Sequence, residues 1–167
     1  MRAVVRFANA SDENEHSNLD ISTDRVVTAA DGAADRPGIG WHPIGSDITS
    51  HLPFTPVVEA NGFVFVSGQA SVDGTGAIVS GTFEEEMRRS MANVESVLAS
   101  AGLTMGDVVR VTSYVHDPAD GPLYNQLYRE FFSPPFPART TLSNCLSPAL
   151  KFEIDVIAVR PGTTAQA

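Results

Sequence analysis

Two stretches near the C-terminus constrain the fold more than any others. They are Phe136-Pro137-Ala138-Arg139-Thr140-Thr141-Leu142 and Lys151-Phe152-Glu153-Ile154-Asp155-Val156-Ile157-Ala158-Val159. Each alternates its side chains with the two-residue period of a β-strand. A Ser147-Pro148 step breaks the run between them, so the expected arrangement is a hairpin turning around Leu146. In that register Arg139 and Glu153 stand opposite each other on one sheet face, and a slip of one residue would move one of them to the other face. An Arg beside a Glu on rigid strands can hold a carboxylate and activate a water. It can equally be a structural ion pair.

The chain has 167 residues, 43% of them hydrophobic, which suits one domain with a real core and hardly two. Residues 51–167 carry the compact, patterned part. Residues 1–50 read as a polar extension, an arm, a lid or disordered. Within it Val4-Val5-Arg6-Phe7 and Arg25-Val26-Val27-Thr28 are short enough for a small hairpin, and Gly38-Ile39-Gly40-Trp41-His42-Pro43 reads as a linker with one anchoring aromatic.

In the compact part, Phe63-Val64-Phe65-Val66-Ser67-Gly68 follows an Asn61-Gly62 turn signal, with Val57-Val58-Glu59-Ala60 as its hairpin partner. Asp73-Gly74-Thr75-Gly76 marks a second turn. Thr82-Phe83-Glu84-Glu85 matches a capping box, and Met87, Met91, Val94, Leu98 and Ala101 follow at helical spacing until Gly102. Asp107 to Val115 alternates again, with Val109, Val111, Ser113 and Val115 on one face and Val108, Arg110, Thr112 and Tyr114 on the other. Pro122 sits where a helix favours its first residue, and Leu123, Leu127, Tyr128 and Phe131 give that helix an apolar side up to Ser133-Pro134-Pro135. The order is hairpin, helix, strand, helix, hairpin. Right-handed crossovers put both helices on one side of a single sheet. The other face, which still carries Phe, Val and Ile, is expected to be covered by other subunits.

Charge and residue types narrow the chemistry. The net charge is −9 with no Lys/Arg stripe, so nucleic acid is not an expected partner, and an anionic substrate would need a locally placed cation. A single cysteine, Cys145, excludes an intrachain disulfide and a multi-cysteine zinc site. His16, His42, His51 and His116 lack the spacing that puts two imidazoles on one ion, so no metal is expected. No apolar run reaches the length of a signal peptide or a membrane span, and a soluble cytoplasmic protein with no membrane partner is the expectation. Val66-Ser67-Gly68-Gln69 lacks a nucleophile-elbow pattern, and Asp73-Gly74-Thr75-Gly76 lacks the lysine of a phosphate loop. Cys145 has no basic residue close in sequence to activate it, and an unreactive thiol is the simpler reading. Arg139 and Glu153 remain. Arg offers a planar fork matching a carboxylate, and Glu153, flanked by Phe152, Ile154 and Ile157, would have its pKa raised by apolar surroundings.

From Pro53 to Pro161 the chain resembles the Rid family of reactive intermediate deaminases, also called YjgF-type proteins. The resemblance lies in Phe63-Val64-Phe65-Val66-Ser67-Gly68-Gln69, Ala101-Gly102-Leu103, Val109 to Val115, Tyr124-Asn125 with Tyr128-Arg129-Glu130-Phe131-Phe132, Phe136-Pro137-Ala138-Arg139, and Phe152 to Ala158. It implies an α+β, chorismate-mutase-like subunit: a single mixed β-sheet with two helices on one face, assembled as a homotrimer with sites between subunits. It also implies cofactor-free hydrolysis of 2-imino acids or their enamine tautomers to 2-oxo acids and ammonia. Arg139 would then bind the substrate carboxylate, Glu153 would activate the water, Gly68 would offer a backbone contact and Asn125 would order the site. Phe54, Ser67 and Thr141 fall at substrate-binding positions. Phe54 stands where the family commonly has Tyr, Thr141 where it commonly has Cys, and the turn between Arg139 and Glu153 is one residue shorter than usual. A non-catalytic ligand-binding or regulatory trimer, or an isomerising enzyme, are the alternatives on the same fold.

Overall fold

The computed structural model describes residues 41–43 and 52–162. The two short N-terminal pieces, Val4 to Phe7 and Arg25 to Thr28, lie outside the described residues, as do His16 and His51.

The chain's local signals produce the elements in order. Val57–Ala60 (β2) and Phe63–Ala70 (β3) pair antiparallel with Ala60 against Phe63, leaving Asn61 and Gly62 as a two-residue turn. Both turn residues have positive φ, 52° and 79°, the combination that Asn-Gly adopts at least cost. Thr82 caps the helix Phe83–Ser100 (α1): its Oγ1 accepts from the Glu85 N–H, while Glu85 Oε2 accepts from the Thr82 N–H. The stripe Met87, Met91, Val94, Leu98 and Ala101 is buried along α1, and Gly102 ends it at φ 70°. Next come strand Val108–Val115 (β4), helix Gly121–Phe131 (α2), strand Ala138–Ser143 (β5) and strand Phe152–Val159 (β6). The helix α2 starts at Gly121, one residue before Pro122, because a 3₁₀ turn over Pro118–Asp120 runs straight into it. A three-residue strand, Trp41–Pro43 (β1), pairs with β2, so the segment expected to be a linker extends the sheet instead.

Among the described residues the sheet has six strands in the order β1-β2-β3-β6-β4-β5. Only β4 and β5 run parallel; the other neighbours are antiparallel. The expected C-terminal hairpin therefore does not form. The crossover through α2 lays β5 beside β4 at the sheet edge, and β6 returns to the middle, between β3 and β4. Alternation identified β5 and β6 as strands but carried no information about their partners.

Both helices pack on one face. There Val64 and Val66 of β3, Val111, Ser113 and Val115 of β4, and Phe152, Ile154, Val156 and Ala158 of β6 are all buried. Phe152 meets Phe83 of α1 edge-on at 5.8 Å and Tyr124 of α2 at 5.8 Å. The buried Tyr124 hydroxyl donates to Ser113 Oγ at 2.7 Å. One irregularity corrects the reading of β4. The ladder to β6 shifts register between Val108 and Arg110, so Val108 is buried while Val109 is exposed, the reverse of strict alternation. Among the described residues no helix covers the opposite face, and Phe63 and Phe65 lie on it 46% and 43% exposed.

Candidate active site

The sheet topology decides which sequence-predicted residues meet. Glu153 is paired with Tyr114 across the β6–β4 ladder, and both project from the helix-free face. Arg139 is paired with Val111, a core residue, across the β4–β5 ladder. Paired strand residues share a face, so Arg139 lies on the helix side. In one subunit Arg139 and Glu153 are therefore on opposite sides of the sheet, and the face-to-face pair expected from a hairpin is not formed.

Each belongs to its own group. Phe54, Ser67, Gly68 and Glu153 line one open cleft of about 530 Å³ with Phe65, Asp155 and Ile157. The register of β3 against β6 shifts between Val66 and Gln69, and this irregularity carries Ser67 and Gly68. Ser67 Oγ donates to the Thr55 carbonyl at 2.7 Å, which ties the segment bearing Phe54 to β3. At Gly68 a Cβ would fall on the Glu153 carboxyl group; the missing side chain is what makes room for it. Gly68→Ala is therefore expected to displace that carboxylate with folding intact, as a crystal structure of the variant beside circular dichroism would show.

Around Glu153 the electrostatics are lopsided. Burial, then the neighbouring Asp155 carboxylate, raise its pKa above the usual glutamate value. The Tyr114 hydroxyl donates to Asp155 Oδ2 at 2.9 Å. Burial and that bond push the Tyr114 phenol up to about 12, so it stays a neutral donor across the physiological range.

The second group is a prepared cation. The Arg139 guanidinium lies 4.8 Å from the Tyr124 ring centre and 4.7 Å from that of Tyr128, and its Nη2 donates to Asn125 Oδ1 at 2.8 Å. All three partners come from α2, whose i and i+4 positions Tyr124 and Tyr128 share one side. The residue remains exposed at the sheet edge, stacked and oriented with donors left for a ligand. Thr141, two residues along β5, is also exposed on that side, paired with Ser113. Cys145 is a free, exposed thiol in the connection beyond β5. Among the described residues no cluster of His, Cys, Asp and Glu could hold a metal ion, and no helix is long and apolar enough to cross a membrane.

The family described as Endoribonuclease L-PSP matches residues 45–160. The chain belongs to it. This is the YjgF/RidA family that the sequence resembles, and its members carry names of several kinds. A 2-iminobutanoate/2-iminopropanoate deaminase of Salmonella typhimurium is 35% identical over 112 residues, covering 65% of this chain and 88% of the relative. A RutC family protein of Pyrococcus horikoshii is 33% identical over 110 residues, covering 65% and 87%. The crystal structure of a putative endoribonuclease from Thermotoga maritima superposes with a TM-score of 0.62 at 33% identity, covering 66% and 89%. The single mixed sheet with two helices is the fold of this YjgF/RidA family.

Tyr114, Tyr124, Tyr128 and Asp155 were not singled out from the sequence as site residues. Tyr124 and Tyr128 carry Arg139, and their helical spacing beside Asn125 was the available signal. Asp155 follows Glu153 by two, the spacing that places two strand residues on one face.

Proposed function

We propose that this protein hydrolyses 2-imino acids, or their enamine tautomers, to 2-oxo acids and ammonia. The observation that carries this reading is Glu153: a carboxyl group with a raised pKa in an open cleft, with space reserved for it by Gly68. The deaminase names among its relatives agree with it.

In this reading Glu153 is protonated at the start and gives its proton to the imine nitrogen. The resulting carboxylate takes a proton from water as the oxygen bonds to the iminium carbon and the C=N π pair moves to nitrogen. A second transfer from Glu153 makes that nitrogen an ammonium. The C–N bond then breaks, the hydroxyl oxygen forms the carbonyl, and its proton returns to Glu153. One imine and one water give one oxo acid and one ammonia, without a cofactor.

The substrate carboxylate needs a cation, and among the described residues the lining of the Glu153 cleft offers none. Arg139 of a neighbouring copy fills that role in our reading, since in its own subunit it faces the other side of the sheet. The exposed Phe63, Phe65 and Leu142 on the helix-free face argue for copies packing there, as a homotrimer with sites between subunits. Arg139→Ala is then expected to weaken binding of a 2-oxo acid roughly 10- to 100-fold, the worth of one lost charged hydrogen bond. The assay is ammonia release from an imine generated in situ by an amino-acid oxidase, with and without the protein. An unaltered rate in Arg139→Ala would remove the carboxylate clamp, and no acceleration by the wild type would remove the reading. Cleavage of RNA, which other family names suggest, fits poorly: Glu153 and Asp155 line the cleft, and the net charge is −9, both repelling phosphates.

A further inference from the structure

Asp155 and Tyr114 belong to no role assigned so far, yet both stand beside Glu153. Asp155 follows it by two residues on the same face of β6 and lines the same cleft. Tyr114 is the cross-strand partner of Glu153 but reaches diagonally past it, placing its hydroxyl 2.9 Å from Asp155 Oδ2. The two carboxyl groups thus have unequal surroundings: Asp155 receives a hydrogen bond, whereas the space beside Glu153 is left by Gly68.

We infer that Asp155, held by the Tyr114 phenol, is a positioning residue whose fixed negative charge makes Glu153 the proton carrier of the pair. The inference rests on the proposed hydrolysis for its purpose, though not for its electrostatics. Two nearby carboxylates resist ionising together, so a carboxylate beside Glu153 favours its protonated form. That biases Glu153 toward holding the proton the imine nitrogen needs, in the direction in which burial, the larger influence, and then Asp155 move its pKa. No other charge on the surrounding elements takes over this role. Arg110, on the same face of β4, has its Nη2 on Thr140 Oγ1. Lys151, two residues before Glu153, has its ammonium on Glu86. β3 carries no charged residue, and its Phe65, Ser67 and Gly68 line the cleft; Cys145 lies within electrostatic reach of Tyr114.

The test is the titration midpoint of Glu153, followed by carbon-detected NMR of side-chain carboxyls in the full chain, with the pH profile of imine hydrolysis in parallel. Asp155→Asn keeps the shape and an acceptor for Tyr114 but removes the charge. It should lower the midpoint and move the alkaline limb of kcat/KM to lower pH, while Asp155→Glu should restore both. An unchanged midpoint in Asp155→Asn overturns the inference, as does a midpoint that falls equally in Asp155→Glu. If the wild type hydrolyses no imine and the midpoint still falls in Asp155→Asn, the electrostatic inference stands and the proposed function fails.

Discussion

Glu153→Gln is expected to lower the rate of imine hydrolysis by about 10²- to 10⁴-fold, the usual share of a general acid–base residue, and at the same time to stabilise the fold at neutral pH. The second effect follows from the direction of its pKa. Burial and Asp155 hold the Glu153 pKa above its ordinary value, so between that value and the raised one the folded state binds more protons than the unfolded state. Stability therefore falls as pH rises through that window, and the loss is complete above it. Gln cannot ionise and escapes the loss. Melting temperatures of the two proteins should lie close together below pH 4.5 and separate above it, with Glu153→Gln the higher. A difference independent of pH, or a variant less stable at pH 7, would show that Glu153 is not held against its ionisation. Low activity together with higher stability is the pattern of a residue kept for chemistry rather than for folding.

The opposite pattern is expected at Glu86. This residue sits in the first turn of α1, fully buried. Its Oε2 accepts from the Lys151 N–H at 2.7 Å, and its Oε1 accepts from the Gly81 N–H at 3.0 Å and from Lys151 Nζ at 3.1 Å. It thereby fastens the segment before α1 and the approach to β6 to one point. Glu86→Ala strips two backbone donors of their acceptor, each at roughly 1–3 kcal/mol when buried. Lys151 is 41% exposed at its side chain, so its ammonium can turn to water and adds little. A loss on the order of 3 kcal/mol is a large part of the 5–15 kcal/mol typical of a domain, and corresponds to a fall in melting temperature of roughly 10 °C. Differential scanning calorimetry of Glu86→Ala and Glu86→Gln would measure it. Gln retains one acceptor and should lose less. Equal melting temperatures for Glu86→Ala and the wild type would mean that solvent reaches those donors. Lys151 lies two residues before Glu153, so the variant should also loosen the start of the strand that carries the site.

The legible parts of the fold are those whose cause lies within a few residues. The Thr82–Glu85 box closes over one helical turn. Asn61-Gly62 needs only its own dihedral preferences to make a turn, and the register of β2 against β3 follows. The stripe from Met87 to Ala101 is buried because its spacing leaves no other way to cover it. Strand pairing is different. β5 and β6 adjoin in sequence, so a hairpin was the nearest solution. Its competitor was a crossover through α2, stabilised where Leu127 and the rings of Tyr124 and Tyr128 enter the core. Nothing in the alternation of residues 136–142 distinguishes the two. The irregularity at Val108–Arg110 and the short strand Trp41–Pro43 escaped for the same reason, since each is fixed by what lies across the ladder.

The candidate site divides in the same way. The chemical types were set by the sequence itself: a guanidinium at 139, a carboxyl at 153 in an apolar strand, an absent side chain at 68. Their local environments were half visible, in the apolar neighbours of Glu153 and in the placement of Asn125 among aromatics on α2. Only the tertiary structure decided that β4 lies between β5 and β6, putting Arg139 and Glu153 on opposite faces and setting Asp155 and Tyr114 beside the carboxyl group. The physical reason is that side-chain chemistry and period belong to each residue and its neighbours in the chain. The face on which a strand residue meets a partner depends on which strand lies next to it, and that is decided by burial summed over the whole sheet.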